Sequence, residues 1–232
     1  MKVKKLTKRA LEEAADLLLE GGIVCFPTDT IYGLLAIATD KDAVERLFSI
    51  RRPSNRPFLI LIPSLEWVEE FGLLASKAHL LLMERFNATF IFYKKNAIPL
   101  FLTRGRKSLA LRLPPYDSHV FELLSLVNVP LVAPSANPEG EKPASNIKEA
   151  MEYFGDKIDL YVDGGTLKAK PSTIVRALYP KGLRLVREGN IPFDKILSFY
   201  KAIITSSSSL IAAFPLESSS LDLFGPPFLP HH

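Results

Sequence analysis

The chain has 232 residues, 47% of them apolar and 23% charged, so it can bury a sizeable core as one large domain or two small ones. Its single cysteine, Cys25, excludes an intramolecular disulfide framework, and the apolar surroundings predict a small buried hydrophobe rather than a reactive thiol. No apolar run approaches the ~20 residues of a membrane span, and the N-terminus lacks the apolar stretch of a signal peptide, so we expect a cytoplasmic location without membrane contact.

The apolar periodicity predicts strands and helices in irregular alternation along the first 196 residues. In chain order, the predicted elements are helix 8–20 after a capping Thr7, strands 23–26 and 32–38, helix 40–50, strand 58–62, helix 76–86, strands 89–93 and 108–113, helix 117–127, a strand from 129 that runs into a loop, helix 146–155, and strands 158–165, 172–178 and 183–189. Asp40 and Asp117 are the expected caps of their helices. This alternation favours an α/β or α+β domain, residues 1–196, with a mixed sheet.

The segment 197–232 differs in composition, because it is rich in Ser and Pro and has no usable period. It is interpreted as a flexible or vector-encoded appendage, and a docking tail that covers an apolar surface is the alternative. The net charge of the chain is +4, and 197–232 contains one lysine and two acidic residues, so residues 1–196 carry +5. This mildly basic balance is compatible with an anionic ligand or with RNA.

A hydroxyl-rich segment, "PTDTIYG", follows the first predicted strand and contains Thr28, Asp29, Thr30 and Tyr32. Strand ends are where ligands bind in open α/β sheets. Hydroxyl groups both donate and accept hydrogen bonds, so the segment suits a zwitterionic or hydroxylated small molecule. A simple turn remains the alternative.

The stretch "RRPSNRP", residues 51–57, is named the arginine turn here, because Arg51, Arg52 and Arg56 lie within six residues. Guanidinium groups bind phosphate oxygens in a bidentate manner, and the two prolines restrict the loop before binding. The arginine turn therefore indicates a phosphate site, with a solvated charged turn as the alternative.

Further polar residues follow apolar strands later in the chain. Arg112 alternates with leucines in "SLALRLP", so it either faces solvent or enters a polar cleft. Ser135 and Asn137 follow "PLVA", where small polar residues bind phosphate or ribose, or cap a turn. Ser172 in "PSTI" and Arg187 in "LVREG" complete the candidates.

The motifs of several common site classes are missing from the sequence. There is no GxxxxGK[ST] or GxGxxG loop, no nucleophile elbow, and no His or Cys spacing of a zinc site. Any chemistry would therefore rest on positioning and on cationic stabilisation of phosphates, with reactive groups supplied by the substrates.

These segments together resemble the YrdC-like family, whose best-defined members are threonylcarbamoyl-AMP synthases. The matching stretches are "GGIVCFPTDTIYGLLA", "IRRPSNRPFLILI", "SLALRLP", "VPLVAPSAN" and "VDGG…PSTIVRA…LVREG", in the family's order and across about residues 5–196. The resemblance implies a twisted mixed parallel and antiparallel sheet with flanking helices around a large basic cavity.

The resemblance also implies a reaction, in which L-threonine and bicarbonate form a carbamate that attacks the α-phosphate of ATP and releases pyrophosphate. ATP is then a substrate, Mg²⁺ is carried by the nucleotide, and no protein-built metal site is expected. The implied partners are tRNA, reached through a threonylcarbamoyl-transferase complex, and weakly bound double-stranded RNA.

Family positions carry over onto individual residues of this chain. The implied threonine site consists of Thr28, Tyr32, Ser108, Arg112 and Ser172. The implied ATP site consists of Arg51, Arg52, Ser135, Asn137, Ser145 and Arg187. Arg51 and Arg52 are the residues expected to act on the phosphates during catalysis.

The chain departs from the family pattern at three places. Ile50 stands where the family's KxR element usually opens with lysine, which leaves Arg51 as the nearby replacement. The family's WPGP-type run reads "RFNATF", which keeps Thr89, and Leu61 stands where a histidine is common. The first change is shared with the YciO branch, whereas the intact SAN indicates the synthase branch. The alternative function is therefore a YciO-like protein, or a non-catalytic RNA-binding protein that uses the same cavity.

Overall fold

The computed structural model describes residues 2–51 and 54–213, with side chains described through residue 206. Within these residues one ten-stranded sheet has the order β1-β8-β2-β3-β7-β4-β6-β5-β9-β10, with four parallel and five antiparallel pairings. Its strands are β1 (Val3–Lys5), β2 (Val24–Pro27), β3 (Tyr32–Ile37), β4 (Leu59–Leu61), β5 (Thr89–Tyr93), β6 (Ser108–Arg112), β7 (Leu131–Val132), β8 (Leu160–Asp163), β9 (Ile174–Ala177) and β10 (Leu183–Arg187). The predicted α/β fold with a mixed sheet and flanking helices is confirmed.

Helices flank this sheet on both sides. They are α1 (Lys8–Leu19), α2 (Lys41–Arg51), α3 (Glu66–Glu70), α4 (Lys77–Arg85), α5 (Leu100–Thr103), α6 (His119–Val127), α7 (Ile147–Phe154) and α8 (Phe193–Ala213), with a 3₁₀ turn at Gly155–Lys157. None of the helices in the described part of the chain is long and apolar enough to cross a bilayer.

The helix caps follow the sequence with one exception. The Thr7 hydroxyl accepts from the backbone N–H of Ala10 at 3.2 Å, as predicted for α1. The Asp117 cap predicted for α6 is wrong by one residue. Ser118 has an extended backbone, and its hydroxyl accepts from the N–H of Phe121 at 3.2 Å, so the helix begins after it.

The buried strands explain their continuous apolar runs, because successive side chains point to opposite faces of a sheet that is covered on both. In β2, Val24 and Phe26 belong to one hydrophobic core, whereas Cys25 belongs to the other. Cys25 is fully buried, as predicted, and burial raises the pKa of its thiol.

The helices cover the two faces unequally. On one face α1 and α6 pack against each other and over β8, β2, β3 and β7. Core side chains of α2, α4, α5, α7 and α8 lie on the opposite face. On the α1 side, β6, β5 and β9 contribute nothing to the core under α1 and α6. This part of the sheet is therefore left accessible, and the cavity described below lies there.

Four elements were not predicted from the sequence: the short elements β1, α3 and α5, and the whole of helix α8. The predicted boundary at residue 196 falls inside α8, where Ile196 and Tyr200 are both buried in the core. Residues 197–213 are thus helical, because these apolar side chains find a surface on α4 and β9–β10 that no local pattern reveals. The rest of the predicted tail, 214–232, lies outside the described residues.

Candidate active site

A cavity of about 290 Å³ opens over β4, β6, β5 and β9. This volume is close to the lower end of small-molecule pockets, about 300 Å³. Its floor is apolar and consists of Leu59, Leu61, Ile91, Ala110 and Ile174. Its walls come from the β2–β3 turn, the end of α2, the segment after β7, the segment before β9 and the end of β10. The segments predicted from the sequence therefore meet around one space.

Thr28 organises the β2–β3 turn at one end of the cavity. Its hydroxyl donates to the carbonyl of Ile31 at 2.6 Å and accepts from the backbone N–H groups of Thr30 and Ile31. The hydroxyl oxygens of Thr28 and Thr30 are 3.2 Å apart, and both residues line the cavity. The predicted turn and the predicted site are thus the same structure, since the turn holds the two hydroxyl groups beside the cavity.

Tyr32 lines the cavity but is fully buried, and its hydroxyl joins two strand ends. The hydroxyl donates to the carbonyl of Gly165 at 2.8 Å and accepts from the N–H of Gly164 at 3.0 Å. Burial raises the pKa of Tyr32 to about 12. Its hydroxyl therefore ties the segment after β8 to the start of β3, and its ring packs in the core that also contains Cys25 and Leu34.

Arg112 enters the cavity, which decides between the two positions that the strand pattern allowed. Its side chain is 2% exposed and forms a bidentate ion pair with Asp29, at 2.9 Å from Nη1 to Oδ1 and 2.5 Å from Nη2 to Oδ2. Its Nε donates to the carbonyl of Asn87 at 2.8 Å. A buried guanidinium needs such partners, and these contacts use three of its five N–H groups.

Ser172 and Arg187 form the wall opposite the floor strand β6. The hydroxyl groups of Ser172 and Thr89 are 2.8 Å apart, and both residues are buried. Arg187 Nη2 donates to the carbonyl of Ser172 at 2.9 Å. Burial lowers the pKa of Arg187 from its usual value, although a guanidinium remains charged at neutral pH.

Arg51, the last residue of α2, lines the cavity together with Ser135. Its Nε donates to the Ser135 carbonyl at 2.8 Å and its Nη2 to the Ser135 hydroxyl at 3.0 Å. Arg51 is 6% exposed, so the cation is held against the segment after β7 with little freedom. This contact joins the arginine turn to the SAN element.

Three of the remaining predicted residues, Ser108, Ser145 and Asn137, lie outside the cavity lining. Ser108 is two residues before Ala110 on β6, which puts it about 7 Å further along the strand and outside the lining. Ser145 binds the carboxylate of Glu149 through its N–H and hydroxyl, in the first turn of α7. Asn137 is buried behind the lining, and Arg52 lies outside the described residues, so its contact stays a prediction.

Asn137 stabilises the loop that carries Ser135. Its Nδ2 donates to the carbonyls of Pro138 and Glu141, both at 2.8 Å. Its Oδ1 is buried and has no hydrogen-bond partner within the described residues.

The family departures have structural consequences in the same region. Ile50 is partly buried and packs against the core, whereas the neighbouring Arg51 turns into the cavity. Leu61 contributes apolar surface to the floor. In the segment "RFNATF", Asn87 supplies the carbonyl that binds Arg112, and Thr89 pairs with Ser172.

Sequence reasoning did not assign Asp29, Thr30 or Thr89 to the site. Asp29 and Thr30 lie inside the hydroxyl-rich segment, so their position in that segment could have indicated that they belong to the site. Thr89 is the first residue of β5, and only the pairing of β5 with β9 brings it to Ser172.

The charge of the cavity is one-sided. Its described lining includes the arginines Arg51, Arg112 and Arg187 and no acidic residue, although Asp29 reaches Arg112 from behind. Within the described residues, no group of three or more His, Cys, Asp or Glu side chains is arranged to hold a metal ion. The cavity is therefore suited to an anionic ligand that also offers hydrogen-bonding groups.

Comparison with known proteins gives a family. The family model Sua5_yciO_yrdC, described as telomere recombination, matches residues 16–189. A threonylcarbamoyl-AMP synthase of Pyrococcus abyssi is 33% identical over 187 residues, which cover 79% of this chain and 55% of the relative. The threonylcarbamoyl-AMP synthase of Bacillus subtilis is 30% identical, with 80% and 55% covered. This chain thus spans about half the length of these two relatives.

Solved structures share the fold. A crystal structure of P. abyssi Sua5 complexed with L-threonine matches with a TM-score of 0.73 and 31% identity, covering 85% of this chain and 59% of that one. The crystal structure of Escherichia coli YciO matches with a TM-score of 0.68 and 26% identity, covering 81% and 93%. Both branches of the predicted family therefore have this architecture.

Proposed function

This chain belongs to the Sua5/YciO/YrdC family, and we propose that it condenses L-threonine, bicarbonate and ATP into threonylcarbamoyl-AMP and pyrophosphate. One observation carries the proposal. A single cavity combines a hydroxyl-rich turn with three arginines that come from α2, β6 and β10. Hydroxyl groups suit an amino acid and its side chain, and arginines suit phosphate oxygens.

In the proposed reaction, the amino nitrogen of threonine bonds to the carbon of bicarbonate with loss of water, which forms a carbamate. A carbamate oxygen then attacks the α-phosphorus of ATP. The bond from this phosphorus to the bridging oxygen of the β-phosphate breaks, and pyrophosphate leaves with the electron pair. Because the substrates supply the nucleophile, the protein needs to hold them in line and to stabilise the phosphate charge.

We assign the phosphate end of the cavity to Arg51 and Arg187, and we add Arg52 to this assignment from the family resemblance. Arg51 is held by its contact with Ser135, and Arg187 by its contact with Ser172. Both side chains therefore lose little conformational entropy when phosphate binds. Ser135 offers its hydroxyl group to the nucleotide, and Asn137 holds the loop that carries Ser135. We propose that Mg²⁺ arrives with ATP and supplies further positive charge at the phosphates.

We assign the threonine end to the β2–β3 turn and the adjoining strand ends. Thr28, Thr30 and Ser172 supply hydroxyl groups there, and Tyr32 supplies wall surface. Arg112 retains two N–H groups beyond its contacts with Asp29 and Asn87, which can bind a carboxylate. Ser108 and Ser145 are not carried into this assignment.

We further propose that the product passes its threonylcarbamoyl group to an adenosine of tRNA through partner proteins, in the cytoplasm. The relatives named as threonylcarbamoyl-AMP synthases support the formation of the threonylcarbamoyl-AMP that this transfer would consume, and the transfer to tRNA is what the family resemblance implies.

The test is a pyrophosphate assay with purified protein, ATP and Mg²⁺, with and without threonine and bicarbonate. We expect pyrophosphate release that requires both, and an adenylated product whose mass includes threonine and one carbonyl. Serine and valine are the matched substrate controls, since each retains only one of the two side-chain groups of threonine. A folded protein that releases no threonine-dependent pyrophosphate would contradict the proposal.

A non-catalytic RNA-binding role is the second candidate, and one observation favours it. Arg176 on β9 and Arg184 on β10 are directly paired across the strands, although like charges in this position are destabilising. Arg176 also lies over the ring of the exposed Tyr93, at 5.3 Å. RNA binding would show a steep loss of affinity with salt and no enhancement by threonine, whereas synthase substrates should enhance each other's binding.

A further inference from the structure

The second half of the arginine turn, residues 54–57, is a loop that leads to β4 and contributes Pro57 to the cavity wall. Two of the contacts within the described residues fasten this loop. The first comes from the SAN side, where the hydroxyl of Ser54 donates to Glu139 Oε1 at 2.6 Å and its N–H donates to Oε2 at 3.1 Å. The N–H of Glu139 donates in turn to the carbonyl of Arg51 at 3.2 Å.

The second contact comes from Arg104, which lies outside the cavity lining. Its Nε donates to Asn55 Oδ1 at 2.6 Å, and its Nη1 donates to Glu45 Oε1 on α2 at 2.5 Å. Its guanidinium lies 4.0 Å from the ring centroid of Phe48, also on α2. Phe48 is stacked on Phe58, which follows the loop, with centroids 3.9 Å apart. The side chain of Arg104 thus connects α2 with loop 54–57.

The backbone at Arg104 supports a specific use of this side chain. Arg104 has φ 48° and ψ 37°, in the left-handed region, and ends the short helix α5. Within the described residues, only Asn128 is another non-glycine residue with positive φ, and asparagine tolerates that region well. A glycine would adopt this backbone conformation with less strain, so the contacts of the Arg104 side chain are formed from a strained backbone position.

The geometry points to Arg104 as a positioning residue that holds loop 54–57 against α2 and thereby sets the affinity of the cavity for ATP. This inference rests on the proposed function, because it assigns the phosphates to the end of the cavity next to Arg51 and Pro57. An ordered loop loses less conformational entropy when the nucleotide binds. The contacts of Arg104 therefore favour ATP binding, although Arg104 does not touch the substrate.

The test variant is Arg104→Lys, which keeps the positive charge near Glu45 but removes the Nε donor to Asn55 and the planar contact with Phe48. We expect the KM for ATP to rise about five- to tenfold, as the loss of one solvent-exposed hydrogen bond implies, while kcat and the KM for threonine stay within about twofold. Asn55→Ala should raise the KM for ATP similarly, and the double variant should not exceed the larger single effect.

Arg46→Lys is the matched control. Arg46 is itself a residue of α2 and forms a bidentate pair with Asp159, at 2.6 and 2.9 Å, and neither of these contacts involves loop 54–57. Hydrogen exchange of the peptide covering 54–60 gives a second measurement that needs no activity. Exchange there should be faster in Arg104→Lys than in the wild type and unchanged in Arg46→Lys.

The outcomes separate the two proposals. If the wild type neither binds ATP nor releases pyrophosphate, the proposed function fails, and the link to ATP fails with it. If the wild type is active and Arg104→Lys keeps its KM for ATP, the positioning role alone is overturned. It is also overturned if Arg46→Lys raises the KM equally, or if exchange at 54–60 is unaffected.

Discussion

Asp29 lies inside the hydroxyl-rich segment but pairs with an arginine that is distant in sequence. The hydroxyls of "PTDTIYG" suggested ligand binding, but the carboxylate of Asp29 binds Arg112, whose side chain is almost completely buried. A buried cation without a partner is expensive, so the acidic residue makes it possible for an arginine to line an otherwise apolar floor.

The substitution Asp29→Asn tests this dependence. Removing one partner of a buried ion pair leaves the other charge uncompensated, so we expect a loss of about 3 kcal/mol in unfolding free energy, measured by urea denaturation. The control is Glu13→Gln, which removes the exposed pair of Glu13 with Lys2 and should change stability little. Equal stabilities of Asp29→Asn and Glu13→Gln would show that Arg112 does not depend on Asp29.

At the scale of elements, α8 and α4 together hold the turn between β9 and β10. The Tyr200 hydroxyl on α8 accepts from the N–H of Gly182 at 2.6 Å. His79 on α4 is fully buried, stacks on Tyr200 with ring centroids 5.9 Å apart, and its Nε2 lies 3.2 Å from the Gly182 carbonyl. Because β10 carries Arg187, the C-terminal helix supports one wall of the cavity.

Truncation tests this role of α8. A chain that ends at Ile196 loses the buried ring of Tyr200, so we expect a loss of at least about 3 kcal/mol in unfolding free energy. A chain that ends at Ala213 is the control, and we expect it to melt at the wild-type temperature. Destabilisation of that second chain would favour the docking interpretation of residues 214–232 over a flexible or vector-encoded appendage.

His79 also predicts a pH dependence of stability. Its Nδ1 accepts from the N–H of Ser76, and burial lowers its pKa below the usual 6.5, so the folded protein holds it neutral. As the pH falls through about 6.5, the unfolded chain takes up a proton before the folded one, and stability decreases.

We therefore expect the unfolding free energy of the wild type to fall between pH 7.5 and 5.5, and to fall less steeply in His79→Gln. The control is His119→Gln, since His119 is exposed and pairs only loosely with Glu122 at 3.6 Å. Thermal unfolding at several pH values measures this. Parallel curves for the wild type and His79→Gln would contradict the assignment.

For the whole molecule, the sequence predicted the long periodic elements well. Helix α1, strands β2 and β3 and helix α7 follow from apolar period and capping residues, which are local properties of the chain. Short elements such as β1 and α5 were not predicted, because three or four residues carry no period and are stabilised by neighbours distant in sequence.

The candidate site divides in the same way. The sequence by itself determined which segments carry hydroxyl and guanidinium groups, because residue type and spacing are local. Only the tertiary structure decided that Arg112 enters the cavity and that Ser145 binds the carboxylate of Glu149 at the start of α7. The direction of a side chain depends on which face of the sheet the helices leave uncovered. That choice is made by packing between residues far apart in the chain, which no local pattern records.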